Sequence, residues 1–278
     1  MKKCVFLILL TLLICAKTHS QSKIKKAETS LQKKETVSKS INSNHSNRES
    51  NNKSRGSFVS DVIGGLFIDI FAFSVYSIAI ESPFESGNPA SYAYLSKYPY
   101  NHSKKGSFTY DWDSSLPLFR NSLTARYISE NTRLKGAQVN LDIQFLKRLG
   151  LEANYLQLWE NNPNFGYDNL AMYSLLAKYH RIRTEKLSAF WGIGTTYIDG
   201  HVERFGFTYG LGAELFFAKP LSLEANFNQT LMNNQTVNKF NTMLNYHIKQ
   251  YTVIGGYEHL RIGNQNFSTV TLGLGVFF

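Results

Sequence analysis

The feature that most constrains this chain is an alternation of apolar and polar residues that begins near Phe119 and continues to Phe278. In "AQVNLDIQF", residues 137–145, every second residue is apolar, which is the pattern of a β-strand with one apolar and one polar face. Ten such segments can be counted, at 119–129, 135–146, 150–159, 169–182, 187–198, 203–217, 220–231, 237–248, 250–261 and 267–278. An even number of antiparallel strands returns the last strand to the first. The pattern therefore predicts an all-β, antiparallel up-and-down barrel of about ten strands over residues 119–278.

Charged residues on the polar face indicate which side of this sheet meets water. Each would cost several kcal/mol if it were buried unpaired in a dry core, so the polar face should line a wet or ion-paired lumen. The apolar face should then meet lipid, and aromatic residues near the strand ends, such as Trp159 and Tyr251, should lie at the two membrane interfaces. The predicted lumen residues are Arg126, Asp142, Glu152, Lys178, Arg204, Glu214, Glu224 and Lys239.

The connections between strands alternate in length. Short ones lie near 147–150, 183–186, 218–220 and 249–250. Longer ones include 161–169 and 232–237. Short turns at one end and longer loops at the other are typical of transmembrane barrels in an outer membrane. We expect the loops, including residues 160–169 and 261–267, to form the contact surface.

The chain finishes on "TVTLGLGVFF", an apolar alternating strand with a terminal aromatic residue. This ending resembles that of bacterial outer-membrane β-barrel proteins, in which it is the signal that the barrel-assembly machinery recognises. The resemblance covers residues 119–278. It indicates where the protein is located in the cell but not what the protein does. It implies that outer-membrane lipid and lipopolysaccharide surround the barrel and that the assembly machinery is a partner during biogenesis. The residues that carry the signal are Leu272, Leu274, Val276 and Phe278.

The residues before the barrel divide into three segments. Residues 1–20 have two lysines, an apolar run and small residues at Thr18 and Ser20, which predicts a signal peptide cut before Gln21. Residues 21–57 are rich in Ser, Asn, Lys and Glu and are predicted to be a disordered polar linker in the periplasm. Residues 58–118 are predicted to hold an apolar helical segment, at 58–80, followed by an irregular connector rich in tyrosine and proline.

Charge and cysteine content exclude several kinds of function. Residues 58–278 carry 18 basic and 17 acidic side chains, so no basic surface for nucleic acid is expected. Cys4 and Cys15 both fall in the predicted signal peptide, so the exported chain should lack thiol chemistry and thiolate metal sites. No cofactor motif or metal-ligand cluster is present in the sequence, and we expect neither a cofactor nor a metal.

A barrel of about ten strands should be filled mainly by its own side chains, since aqueous channels require more strands. Four acidic and four basic residues are predicted to balance each other inside it. Glu214 and Glu224 should face each other across a hairpin centred on Lys219. Such a pair could be a general acid and base or, alternatively, part of a salt-bridge cluster that fills the lumen.

The sequence thus predicts a monomeric outer-membrane barrel with a structural or surface-interaction role and a lumen plugged by charged side chains. Two alternatives stay open. The first is a protease similar to the omptins, which are ten-strand barrels with acidic residues and a histidine at the outer rim; here Asp199 and His201 would be the catalytic candidates. The second is a narrow pore for solutes.

Overall fold

The computed structural model describes residues 22–32, 93–101, 105–112, 116–162, 166–232 and 235–278. Within these ranges the chain forms a short helix, α1 (Lys23–Gln32), and a small antiparallel hairpin of β1 (Tyr94–Leu95) and β2 (Phe108–Thr109). The barrel strands are β3 (Phe119–Ser129), β4 (Leu134–Phe145), β5 (Leu149–Asn162), β6 (Gly166–Arg183), β7 (Leu187–Asp199), β8 (Arg204–Ala218), β9 (Leu221–Met232), β10 (Gln235–Ile248), β11 (Tyr251–Ile262) and β12 (Gln265–Phe277).

Strands β3 to β12 form a closed antiparallel barrel in which each strand pairs with its neighbour in sequence and β12 pairs with β3. At the seam, the Asn121 amide donates to the Phe278 carbonyl oxygen over 3.1 Å, and the Phe278 amide donates to the Asn121 carbonyl oxygen over 3.0 Å. Closure satisfies the backbone groups that an open sheet edge would leave unpaired in lipid. The prediction of a ten-strand up-and-down barrel is confirmed.

The two ends of the barrel are distinguished by their connections. We call the turn end the one that holds residues 146–148, 184–186, 219–220 and 249–250, together with Phe119 and Phe278. The loop end holds residues 130–133, 200–203 and 263–264.

The difference in loop length is smaller than the sequence predicted. The proposed long loop at 161–169 is wrong in extent, because β5 and β6 continue to pair as far as Asn162 and Gly166. Likewise, Met232 pairs with Gln235 in the region predicted as a loop at 232–237. These strand ends can be polar, because the backbone hydrogen bonds between paired strands form equally well where the strands extend beyond the lipid.

The outer surface of the barrel is apolar on every strand. One large hydrophobic side chain per barrel strand, each at least 38% exposed, illustrates the band: Leu123, Val139, Leu151, Leu175, Ile193, Phe207, Leu223, Leu244, Val253 and Leu272. Exposed apolar surface of this extent would be unstable in water. A continuous band of it around a closed sheet is the lipid-facing surface of a transmembrane barrel.

Part of the segment that was predicted to be a disordered polar linker is helical. Residues 23–32 were expected to be disordered in the periplasm, but they form a helix inside the loop end of the barrel, opposite the end at which β3 begins. The physical reason is that Ile24, Ala27 and Leu31 share one helix face, and the barrel supplies an apolar partner that composition alone cannot reveal.

The connector before the barrel was predicted to be ordered but irregular, and part of it is regular, since residues 93–101 and 105–112 carry the β1–β2 hairpin at the turn end. The predicted signal peptide, the rest of the 21–57 linker and the apolar segment at 58–80 lie outside the described residues. Among the residues that are described, no helix is long and apolar enough to cross a membrane.

Candidate functional site: the barrel lumen

The barrel lumen is lined by polar and charged side chains and contains two cavities. A cavity of about 130 Å³ lies toward the turn end, and a second one of about 40 Å³ lies beyond it toward the loop end. Six of the eight predicted lumen residues line the larger cavity or are shared by both: Arg126, Asp142, Glu152, Lys178, Glu214 and Glu224. Lys239 lines the smaller cavity. Strand alternation therefore places seven of these side chains together.

Lys178 is the centre of one cluster in this lumen. It comes from β6 and is 4% exposed. Its ammonium group forms an ion pair with Asp142 and lies 3.1 Å from Glu152 Oε2. Asp142 and Glu152 are directly paired neighbours on β4 and β5, so one cation holds together two acids that would otherwise repel each other.

Glu214 and Glu224 are also directly paired, on β8 and β9, in the register that the sequence predicted. Each carboxylate has hydrogen-bond partners of its own. Glu214 accepts from the Ser222 hydroxyl over 2.6 Å, whereas Glu224 accepts from the amide of Asn226 over 2.5 Å and from that of Asn245 over 3.3 Å. Two acids that are held separately by neutral donors belong to a packing network more naturally than to an acid and base pair that acts on a substrate.

Arg120 and His247 line the same cavity, and the sequence reasoning missed both. Arg120 donates to Gln144 over 2.8 Å and to Ser107, so it ties the barrel wall to the β1–β2 hairpin. His247 lies 2.8 Å from the Ser222 hydroxyl through Nε2 and 3.2 Å from the Thr252 hydroxyl through Nδ1. The alternation of side chains along β3 could have identified Arg120, because Arg120 lies an even number of residues from Arg126 and therefore also points inward.

The remaining predicted lumen residues, Lys239 and Arg204, differ in position. Lys239 Nζ lies 3.4 Å from Glu258 Oε2, and both side chains are nearly inaccessible to solvent. Arg204 lines neither cavity. It lies at the loop end, on the same side of β8 as the buried Gly206 and Thr208, and donates to the Glu203 carbonyl oxygen over 3.1 Å. As the first residue of β8 it is too close to the strand end to reach the cavities.

Tyr100 covers the lumen at the turn end. Its hydroxyl donates to the Leu221 carbonyl oxygen over 2.6 Å, and its ring makes edge contacts with Phe216 and His247 at centroid distances of 5.6 and 5.7 Å. Burial, reinforced by the negative charge of Glu214, raises the pKa of Tyr100 to about 12, so the phenol stays protonated and remains a donor.

The loop end holds the two residues considered as protease candidates. His201 Nε2 lies 3.8 Å from Asp168 Oδ1 with its side chain 65% exposed. Asp199 is exposed and continues the outward alternation of Ile193 and Tyr197 on β7. The acid that accompanies His201 is thus Asp168. Within the described ranges no group of three or more histidine, cysteine or acidic side chains is arranged to hold a metal ion.

Two other acids of the loop end bind helix α1. Glu160 accepts from the backbone amides of Lys23 and Ile24 over 3.0 and 2.8 Å. Glu130 lies 2.6 Å from the Lys23 ammonium group. Glu28, on the helix itself, accepts from the His201 backbone amide over 2.7 Å. Carboxylates from the rim and from the helix are therefore engaged in docking α1.

No family model matches the chain, and no curated protein is similar to it. Solved structures of bacterial outer-membrane proteins align with the barrel. An outer-membrane channel of Pseudomonas putida has 12% identity and a TM-score of 0.40, covering 60% of this chain and 100% of the other. The Yersinia pestis outer membrane protein Ail, in a nanodisc, has 15% identity and a TM-score of 0.33, covering 57% and 99%. Neisserial surface protein A has 14% identity and a TM-score of 0.30, covering 58% and 98%.

These similarities are too distant to transfer any activity. The molecule itself indicates a membrane-spanning barrel, because it is a closed sheet with an apolar outer band and a polar lumen. The chain is a closed ten-strand antiparallel β-barrel with the lipid-facing outer surface of a membrane-spanning protein.

Proposed function

We propose that this protein is a closed outer-membrane barrel with a structural or surface-interaction role, whose lumen is filled by its own charged side chains. The observation that carries the proposal is the pairing of charges inside the barrel. Lys178 is held between Asp142 and Glu152, and Lys239 pairs with Glu258. Balanced pairs that bridge neighbouring strands favour a rigid plug, because a selective channel would present one sign of charge to its solute.

The covering of both ends supports the same proposal. Tyr100 and the β1–β2 hairpin lie across the turn end, and helix α1 lies within the loop end. The cavities between them have room for ordered water molecules.

Planar-bilayer recording with purified, folded wild-type protein tests the proposal against the alternative of a narrow pore. We expect no stepwise conductance, because the proposed plug would leave no continuous aqueous path through the lumen. A shift in gel mobility between unboiled and boiled samples would establish that the barrel had folded before recording. Reproducible conductance steps from such folded protein would overturn the closed-barrel proposal in favour of a pore.

We also propose that the partners of the barrel are those its surface chemistry suits. Outer-membrane lipid and lipopolysaccharide would cover the apolar band, and the barrel-assembly machinery would act on the last strand during biogenesis. The apolar outer residues spread over all ten strands in place of one concentrated patch, which favours a monomer surrounded by lipid.

A further inference from the structure

The loop-end half of the lumen is apolar, in contrast to the polar lumen nearer the turn end. Inward side chains from nine of the ten barrel strands form an apolar ring there. Its members are Ile128, Leu134, Leu156, Leu158, Leu170, Met172, Ile198, Met232, Val237, Leu260, Ile262 and Phe267. Such a ring inside a membrane barrel gains nothing from lipid and is unfavourable against water, so it requires an apolar occupant.

Helix α1 is that occupant, and its surface matches the ring. Ile24 and Ala27 are completely buried and Leu31 is 3% exposed. The opposite face of the helix, which carries Thr29 and Gln32, is exposed. The helix is amphipathic, and its apolar stripe provides the contact that the ring lacks.

Specific polar contacts fix how the helix lies in the ring. Glu160 receives two backbone amides of the first helical turn, which would otherwise lack partners inside the helix. Lys23 pairs with Glu130, and Glu28 receives the His201 amide. These contacts select a helix with unpaired backbone amides in its first turn, a basic first residue and an acid five residues later.

Two glycines of the loop end give the helix the clearance it needs. A Cβ added at Gly200 would lie 1.9 Å from Glu28 Oε1. A Cβ added at Gly263 would lie 2.0 Å from Ser30 Oγ, and Gly263 also has a φ of +54°. An unlinked side chain at either position would press against the docked helix.

We propose that the loop end of the barrel is a binding site for a short amphipathic helix, and that residues 22–32 are its resident ligand. The contacts are those of a ligand with a receptor. They come from side chains far away in sequence, combine an apolar stripe with charged anchors, and involve an element that belongs to none of the barrel strands. A helix of the same chemistry supplied as a separate peptide should therefore occupy an emptied site.

The test uses the full-length chain with Ile24→Asp and Leu31→Asp, which prevents its own helix from docking. A fluorescent peptide of residues 21–32 is titrated into this variant and into wild-type protein, both folded in detergent, and its anisotropy is recorded. We expect saturable binding to the variant and weaker binding to the wild type, whose site is already occupied.

Two altered peptides provide the matched comparison. The peptide with Thr29→Asp and Gln32→Asp gains the same charge on its exposed face and should bind within about threefold of the original, since surface changes cost little. The peptide with Ile24→Asp and Leu31→Asp should lose at least about a hundredfold in affinity, because two buried side chains lose their contacts. Equal binding of both peptides, or no binding to the folded variant, would overturn the proposal.

A second measurement keeps the proposal testable if the Asp variant does not fold. With Ser30→Cys and Gly263→Cys in the full chain, the two Cβ positions lie 2.8 Å apart, so a shift of about 1 Å brings them to the roughly 3.8 Å separation of a disulfide. Oxidation should cross-link this pair. The control variant combines Ser30→Cys with Gly255→Cys. Oxidation should not cross-link it, because nothing lies within 4 Å of a Cβ at Gly255. Folded protein that forms no cross-link between 30 and 263 would show that the helix does not dock. Because neither experiment measures conductance, each can fail independently of the closed-barrel proposal.

Discussion

Glu28 is an unusual residue to find at the interface between a helix and an apolar ring. Its side chain is buried, with a residue exposure of 1%, and one carboxylate oxygen accepts from the His201 amide. The other oxygen has no hydrogen-bond partner among the described residues. Burial raises the pKa of Glu28, and the hydrogen bond from the His201 backbone and the charge of its ring only partly offset that rise, while Asp168 adds to it.

This shift predicts that helix docking is pH-dependent. Because the pKa of Glu28 is higher in the docked than in the undocked helix, docking takes up protons. Its affinity should therefore rise as pH falls through the raised pKa and level off below the ordinary value of about 4.5. In the peptide titration, lowering the pH from 7 to 4.5 should strengthen binding of the peptide of residues 21–32. The Glu28→Gln peptide keeps the acceptor for the His201 amide and should lose most of that dependence.

The Gln peptide also separates Glu28 from its neighbours. Asp168 and His201 lie on the barrel and are present with either peptide, so any pH dependence that comes from the barrel alone would appear with both peptides. If the two peptides showed the same pH profile, the raised pKa of Glu28 would not be coupled to docking.

Some individual positions could be predicted from sequence because alternation fixes the direction of each side chain. The alternation of "TVTLGLGVFF" predicts that Gly273 faces inward, where it leaves room for larger neighbours. In the structure, a Cβ there would lie 2.6 Å from Arg126 Cγ and 2.4 Å from the Ala125 carbonyl oxygen. Alternation does not reveal which charges meet. The pairing of Lys178 with Asp142, two strands away, depends on strand stagger, which the sequence does not determine.

The β-strands are easier to predict from the sequence than helix α1 is. The ten strands repeat a period of two over about 160 residues, and cross-strand pairing constrains each of them from both sides. Helix α1 has only three apolar positions within a strongly polar segment. A short helix of this kind is marginal in isolation and is stabilised by the surface on which it packs. Its partner ring is contributed by strands more than 90 residues away, so local composition could not predict it.

The β1–β2 hairpin should depend on Tyr100 for its attachment to the barrel. Tyr100→Phe removes the hydrogen bond to the Leu221 carbonyl oxygen and should lower the free energy of unfolding by about 1 kcal/mol. Tyr100→Ala also removes the ring contacts with Phe216 and His247 and should lower it by about 3 kcal/mol. Urea unfolding in detergent, followed by tyrosine and tryptophan fluorescence, measures both.

Tyr167→Phe is the matched control for this series, because Tyr167 is 81% exposed and its hydroxyl group should contribute little. If Tyr100→Ala were as stable as Tyr167→Phe, the hairpin would not be held by Tyr100, and the covering of the turn end would need another explanation.

The barrel as a closed unit depends on one seam, where β12 meets β3. The backbone of Phe278 makes two hydrogen bonds across it, whereas the Phe278 side chain is 66% exposed on the outer surface at the turn end. Leu272 and Leu274 are exposed to the same degree on that face of β12. Closure therefore uses the backbone of the last strand, and its outward side chains are left for lipid or for a partner during assembly.

This division predicts that Phe278→Ala affects assembly more than stability. The backbone bonds of the seam remain, so barrel refolded in detergent should keep its free energy of unfolding within about 0.5 kcal/mol. If the terminal ring is recognised by the barrel-assembly machinery, as we propose, the amount of folded protein in the outer membrane should fall in cells. Phe217→Ala is the control, because Phe217 is an outward aromatic residue of the turn end with 52% exposure but lies far from the terminus. Equal membrane levels of the two variants would mean that Phe278 serves only as an interfacial side chain, since loss of either ring would then have the same consequence.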